Sequence, residues 1–170
     1  EVGSDAPKVV NAVIEIPKDS KVKYEVDKDT GMLMLDRYMF SAVHYPGDYG
    51  FIPKTLWEDG DPVDIVIFSN TPPYPMTLCE AKIIGVLRMI DDGESDDKLL
   101  AVHANDPRYG EWNSIKDIPA HFITELKHFF ETYKDLQGKK VEVPEILDAD
   151  EAYKVVEKGK QLYNEKFPDV

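Results

Sequence analysis

In the first two-thirds of the chain, runs of β-branched, aromatic or alternating apolar residues are bounded by turn residues, a pattern that predicts β-strands. Seven strands are predicted, over Val9–Ile16, Lys21–Val26, Met32–Phe40, Val63–Phe68, Leu78–Met89, Lys98–Val102 and Lys139–Val143. The turn sequence Lys28-Asp29-Thr30-Gly31 predicts that the second and third of these strands form a hairpin. Tyr45-Pro-Gly-Asp-Tyr49-Gly is predicted to be a tight loop that presents its two phenols.

Helical spacing of apolar residues begins only near residue 119. Pro119 suits the first position of a helix, and Gly138 is expected to cap its end. A second helix is predicted to start at Asp148, with Glu151 completing a capping-box pattern. Because the strands come first and the helices last, the predicted fold class is α+β. Five or six short strands favour a twisted antiparallel sheet closed into a small barrel, with two main helices near the C-terminus.

The charge balance excludes several classes of protein. The chain has 170 residues, and its 33 acidic against 20 basic side chains give a net charge of −13. That length suits a single domain over residues 1–170, and the acidity argues against a nucleic-acid-binding protein. No apolar run approaches the roughly 20 residues of a membrane span. The single cysteine, Cys79, is expected to be a buried strand thiol and favours a reducing, cytoplasmic setting.

Two carboxylate clusters carry the main candidate chemistry. Glu58–Asp64 adjoins an apolar strand, and Asp91–Asp97 lies between two strands. Clustered carboxylates repel one another unless a cation offsets their charge, and Mg²⁺ prefers such oxygen ligands. Neither cluster has EF-hand spacing, and no P-loop, nucleophile-elbow, HExxH or CxxC motif occurs. The first cluster favours a metal site, whereas the second is equally consistent with a solvated turn.

Basic side chains also stand in unusual positions. Lys23 and Glu25 share one face of a strand, where a solvated ion pair is the alternative to a functional role. Arg37 follows two leucines at a period of two, so a guanidinium is expected along an otherwise apolar face. A guanidinium placed there requires a carboxylate or phosphate partner.

The hexapeptide Asp59-Gly-Asp-Pro-Val-Asp64 resembles the signature of soluble family I inorganic pyrophosphatases. Other matches to the family follow in order: Glu15-Ile-Pro, Lys23-Tyr-Glu25, Asp36-Arg37, Tyr45-Pro-x-x-Tyr49-Gly, Asp91 with Asp96-x-Lys98, and Phe129-Phe-Glu-x-Tyr133-Lys134. Together they cover the chain from about residue 9 to residue 138. An ordered set of this kind is far more specific than one hexapeptide.

The resemblance implies a five-stranded OB-like barrel that hydrolyses pyrophosphate to two phosphates with several Mg²⁺ ions, Mn²⁺ or a similar ion being the alternative. By position, the implied metal ligands are Asp59, Asp64, Asp91, Asp96, Glu15 and Glu25. Asp61 would be the base that takes a proton from the attacking water, and Tyr49 would join it in the catalytic group. The implied substrate ligands are Lys23, Arg37, Tyr45, Tyr49, Lys98, Tyr133 and Lys134.

One position departs from the family. Asp92 stands where many bacterial members carry Glu, and the shorter side chain argues against a direct role. The chain length resembles the short microbial form, which assembles as hexamers. Two other functions remain open: a metal-dependent hydrolase of small phosphoesters, and a non-enzymatic, acidic protein that binds divalent cations. The second would leave Lys23, Arg37, Tyr49 and Lys134 without a shared role.

Overall fold

A computed structural model describes residues 1–169. These residues form nine strands and two α-helices. The strands are β1 (Val9–Ile16), β2 (Val22–Val26), β3 (Leu33–Tyr38), β4 (Asp48–Phe51), β5 (Asp64–Phe68), β6 (Leu78–Asp91), β7 (Glu94–Ser95), β8 (Lys98–His103) and β9 (Val141–Asp148). The helices are α1 (Ala120–Thr132) and α2 (Ala149–Lys166). No helix within residues 1–169 is both long enough and apolar enough to span a membrane.

Five strands close into a ring in the order β1, β4, β5, β8, β6 and back to β1. The predicted OB-like barrel is therefore confirmed. One pairing differs from the predicted antiparallel sheet, because β5 and β8 run parallel. The long strand β6 lies between them in sequence and pairs antiparallel with β8. The chain therefore reverses after β6, and β8 runs in the same direction as β5. The hairpin of β2 and β3 is confirmed and forms a separate two-stranded sheet.

Each helix covers a different part of the barrel. The strand β5 alternates its side chains between two cores, with Val66 and Phe68 in one and Ile65 and Ile67 in the other. Helix α1 packs on the first core through Leu126, Phe129 and Phe130. Helix α2 packs on the second through Ala152, Val155 and Val156. The last turn of α1 thereby comes to lie beside the barrel strands that carry the candidate site.

The strand β4 was predicted as part of a loop, and that prediction is wrong. Asp48–Phe51 pairs with both β1 and β5 and closes the barrel. Gly50 is required there, since a Cβ at this position would lie 1.9 Å from the carbonyl oxygen of Val13. Tyr45, which was predicted to be presented by the loop, is only 2% exposed because it packs against Tyr49 and Phe129.

The predicted helix ends are partly wrong. Pro119 is the N-cap of α1 and not its first residue. The helix ends at Thr132, and Gly138, with a φ of +71°, ends the following 3-10 turn over Asp135–Gln137 instead. The start of α2 is confirmed, since the Asp148 side chain accepts a hydrogen bond from the Ala149 backbone N–H at 2.9 Å. The predicted capping box is not formed, because Glu151 pairs with Lys154 instead. Cys79 is partly buried in β6.

Candidate active site

One cavity of about 480 Å³ opens between the barrel, the β2–β3 hairpin and the end of α1. All but two of the site residues predicted from the sequence line it. They are Glu15, Lys23, Glu25, Tyr45, Tyr49, Asp59, Asp61, Asp64, Asp96, Lys98, Tyr133 and Lys134. Arg37 and Asp91 lie beside the cavity. Asp91 pairs with Lys134 of the lining, and the charge of Arg37 acts on two lining residues, Tyr45 and Tyr133. The fold thus gathers residues that are spread from position 15 to position 134 of the chain.

The buried centre of the cavity is built by the parallel pair of strands. Asp64 begins β5, Lys98 begins β8, and the strand register places the two residues opposite each other. The Lys98 Nζ lies 2.5 Å from Asp64 Oδ2 and 2.5 Å from Asp96 Oδ1. Burial alone would lower the pKa of Lys98, but the charges of Asp64 and Asp96 outweigh burial and raise it. Lys98 is therefore a permanent cation at the floor of the cavity.

Tyrosine hydroxyls surround this cation. The Tyr49 hydroxyl donates a hydrogen bond to Asp64 Oδ2 at 2.6 Å. Burial, followed by the charge of Asp64, raises the pKa of Tyr49 well above its ordinary value. Burial likewise raises the pKa values of Tyr45 and Tyr133. All three phenols consequently stay protonated at neutral pH and can donate hydrogen bonds to an anion.

The carboxylates at the cavity carry negative charge that the protein does not fully neutralise. Burial raises the pKa of Glu15 to about 7, with the charges of Asp64 and Glu25 adding to the effect. Partial burial and neighbouring carboxylates raise the pKa of Asp59 to about 6. Burial also raises the pKa of Asp64, even though Lys98 pairs with it. An all-oxygen donor set of this kind fits a hard divalent cation.

The pKa of Glu15 predicts how the stability of the metal-free protein depends on pH. Because this pKa is raised from 4.5 to about 7 on folding, stability is lost as the pH rises through that range. In EDTA at pH 8, Glu15→Gln is expected to increase the free energy of unfolding by roughly 2 kcal/mol, a gain that shrinks toward pH 5. Gln keeps the oxygen that accepts the Val26 N–H at 2.7 Å.

Urea unfolding at pH 5, 6, 7 and 8 measures this difference. Glu94→Gln is the matched control, since Glu94 is exposed on β7 and its substitution should change the free energy of unfolding only slightly. A Glu15→Gln effect of the same size at every pH would contradict the prediction.

The second acidic cluster divides into three parts. Asp91 forms an ion pair with Lys134, which lines the cavity, and Asp96 faces the cavity directly. Asp92, with a φ of +51°, occupies the exposed turn between β6 and β7 together with Gly93. Asp97 is 5% exposed, pairs with Arg88 at 2.5 Å and does not line the cavity. The cluster is therefore divided between residues at the cavity, a residue in an exposed turn and a residue that pairs within the fold.

The hairpin supplies the remaining cations. Lys23 pairs with Glu25 on the same strand face and lies 3.3 Å from Asp36. Arg37 Nη1 lies 3.2 Å from Asp36, whereas its buried Nε and Nη2 atoms have no hydrogen-bond partner. The apolar face predicted beside Arg37 is not buried, since Leu35 is 46% exposed in this two-stranded sheet. Buried guanidinium donors without a partner are suited to an incoming anion.

Arg37 does not line the cavity, but its charge reaches the lining. It lowers the pKa values of both Tyr45 and Tyr133, which burial otherwise raises.

Among residues 1–169, no three His, Cys, Asp or Glu side chains already lie close enough together to hold a metal ion. The lysines hold the carboxylates instead, as Lys98 and Lys134 do with Asp64 and Asp91.

Sequence reasoning missed one charged residue of the cavity. Lys28, in the turn of the hairpin, lines the cavity, and its Nζ lies 2.5 Å from Asp61 Oδ1. The sequence identified this segment only as a turn. Its partner is 33 residues away, so no local pattern could have revealed the contact.

Comparisons with known proteins give one consistent result. The family model described as inorganic pyrophosphatase matches residues 12–164. Soluble inorganic pyrophosphatase 2 of Chlamydomonas reinhardtii is 52% identical, over 97% of this chain and 86% of that protein. Soluble inorganic pyrophosphatase 4 of Arabidopsis thaliana is 47% identical, over 96% of this chain and 76% of its own length. The crystal structure of the inorganic pyrophosphatase from Thermus thermophilus superimposes with a TM-score of 0.94 at 43% identity, covering 96% of both chains.

Proposed function

This chain belongs to the inorganic pyrophosphatase family and is therefore an inorganic diphosphatase; we propose that the cavity described above is where it hydrolyses pyrophosphate to two phosphates. One observation carries the proposal: a row of carboxylates and a set of cations line the same cavity in a chain whose family match spans residues 12–164. The carboxylates can hold metal ions, and the cations can hold a polyanion. Neither set alone would serve a pyrophosphatase.

Family membership supports a divalent metal cofactor, and we propose that Mg²⁺ fills this role. The proposed ligands are Asp59, Asp64, Asp91 and Asp96, with Glu15 and Glu25 acting directly or through water. Their oxygen donors and the raised pKa values of Glu15, Asp59 and Asp64 support this assignment. When bound, such an ion would lower the pKa of a coordinated water and offset the negative charge of the substrate.

Asp61 is the proposed general base. Its side chain lines the cavity and is 59% exposed, so it can reach a water molecule there. The loop around it is ordered, since the Asp61 N–H donates to Asp59 Oδ1 at 3.0 Å and the Asp61 carbonyl accepts from the Trp57 N–H at 2.7 Å. Tyr49 supports the catalytic group by holding Asp64 through its hydroxyl.

The cations and phenols are the proposed ligands of the two phosphoryl groups. A protein with a net charge of −13 can bind a multiply charged anion only where positive charge converges. Arg37 has two unpartnered donors, which suits bidentate contact with phosphate. In the metal-free protein, carboxylates form ion pairs with Lys23, Lys98 and Lys134. Once metal ions neutralise those carboxylates, the three lysines become available to bind phosphate. Tyr45 and Tyr133 contribute protonated hydroxyls.

Phosphate release from a panel of substrates tests the proposed function. With saturating Mg²⁺, kcat/KM for pyrophosphate is expected to exceed that for ATP and for p-nitrophenyl phosphate at least ~100-fold, because the proposed cations and phenols contact two phosphoryl groups and none of them is assigned to a nucleoside or an aryl group. Preferred cleavage of the ester would indicate a phosphoesterase. Mg²⁺ binding by calorimetry without any hydrolysis would indicate a cation-binding protein.

We further propose a single domain over residues 1–170 that assembles as a homohexamer in the cytoplasm. Exposed apolar side chains on and beside β3 support a subunit contact, with Met32 68%, Tyr38 65% and Phe40 59% exposed. The unpaired Cys79 supports a reducing compartment.

A further inference from the structure

The tip of the β2–β3 hairpin is an ordered segment that points a lysine at the acidic loop. Asp27 Oδ2 accepts hydrogen bonds from the Thr30 N–H at 3.0 Å and from its hydroxyl at 2.5 Å. The Gly31 N–H donates to the Asp27 carbonyl at 2.8 Å. The backbone of Lys28 is therefore held in place, and its Nζ reaches Asp61 Oδ1 at 2.5 Å.

Among the ion pairs of residues 1–169, Lys28–Asp61 is the one that joins the hairpin to the Asp59–Asp64 loop. Both ends of the pair rest on ordered backbone, because Asp61 is anchored to Trp57 and Asp59 as described above. Both side chains line the cavity, and both are more than half exposed. The pair therefore connects the strands that carry Lys23 and Arg37 to the loop that carries the proposed base.

The ion pair between Lys28 and Asp61 contributes little to the stability of the fold. The side chains of Lys28 and Asp61 are 73% and 59% exposed, and exposed ion pairs contribute little to the free energy of unfolding. The hairpin, by contrast, needs support near its tip. It lies outside the barrel sheet, and two-stranded hairpins are marginally stable by themselves. Near the tip, the Val26 N–H also donates a hydrogen bond to Glu15 Oε1 at 2.7 Å.

We infer that Lys28 is a positioning residue that clamps the hairpin against the acidic loop and so sets the distance between the substrate cations of the hairpin and Asp61. The inference rests on the proposed function, because that function gives the two sides of the cavity their roles. Small displacements of groups that position a substrate lower the rate of reaction strongly. The clamp consequently matters for catalysis while remaining nearly neutral for stability.

Three variants test the clamp. Lys28→Met removes the charge and keeps the length of the side chain, and Lys28→Arg restores a cation. Lys154→Met is the matched control, because Lys154 forms an equally short exposed pair with Glu151 at 2.5 Å, on α2 and outside the cavity lining. Two measurements are made on each full-length protein: amide hydrogen exchange over residues 22–38 without metal, and kcat/KM for pyrophosphate with Mg²⁺.

Lys28→Met is expected to exchange several-fold faster over residues 22–38 and to lose about 10-fold in kcat/KM, with both effects reversed in Lys28→Arg. Lys154→Met should match the wild type in both measurements. Unchanged exchange in Lys28→Met, unchanged kcat/KM, or a loss that Arg does not rescue would each overturn the clamp. A wild type that does not hydrolyse pyrophosphate would overturn the proposed function and the clamp with it, whereas an active wild type with an unaffected Lys28→Met overturns the clamp alone.

Discussion

Removing divalent cations from the protein is expected to reduce pyrophosphate hydrolysis to the uncatalysed background, and adding Mg²⁺ to restore it fully. The cavity lining contains more carboxylates than cations, and burial, with a further contribution from neighbouring carboxylates, raises the pKa values of Glu15, Asp59 and Asp64. A pyrophosphate anion would meet this charge directly. Its binding therefore requires additional positive charge, and the oxygen donors present select a hard divalent ion.

Two measurements check this expectation. Phosphate release is followed after dialysis against EDTA and again after Mg²⁺ is titrated back. The unfolding temperature is recorded in parallel and should rise with Mg²⁺, since an ion that binds only the folded state stabilises it. Sodium chloride at equal ionic strength is the control for simple charge screening. Hydrolysis that survives EDTA, or that sodium chloride restores equally well, would contradict the metal requirement.

Asp61→Asn is expected to lower kcat for pyrophosphate at least ~100-fold at saturating Mg²⁺, which is the usual scale for the loss of a general base. The substitution keeps the size of the side chain and an oxygen that can accept the hydrogen bond from Lys28 Nζ. It removes the ability to take a proton, together with the negative charge that pairs with Lys28. KM should change much less than kcat, because Asp61 is proposed to act on the attacking water and not on the substrate.

Steady-state kinetics at several Mg²⁺ concentrations separate this effect from weaker metal binding. Asp92→Asn is the matched control, since Asp92 is an exposed acid in a glycine-containing turn and does not line the cavity. It should retain the activity of the wild type. Asp61→Asn with more than about a tenth of the wild-type kcat, or with activity recovered by excess Mg²⁺, would show that Asp61 is not the base.

Much of the fold could be predicted because the strands and helices carry strong local patterns. The predicted limits of β1 agree with the structure, since Val10, Ala12 and Ile14 alternate into one core. The strand β4 escaped prediction because four residues that include Gly50 give too short a pattern. The end of α1 was placed too late, since Gly138, in the left-handed region, caps a separate 3-10 turn over Asp135–Gln137.

The sequence by itself determined the chemistry available to this protein: which acids, cations and phenols it contains, and the ordered motifs that resemble inorganic pyrophosphatases. Only the tertiary structure decided how these groups meet. The parallel register of β5 and β8 places Lys98 against Asp64, and packing against Tyr49 and Phe129 buries Tyr45. Lys28 reaches Asp61 across 33 residues of sequence. Local patterns arise from neighbouring residues, whereas a site of this kind depends on distances between distant segments, which packing of the whole chain sets.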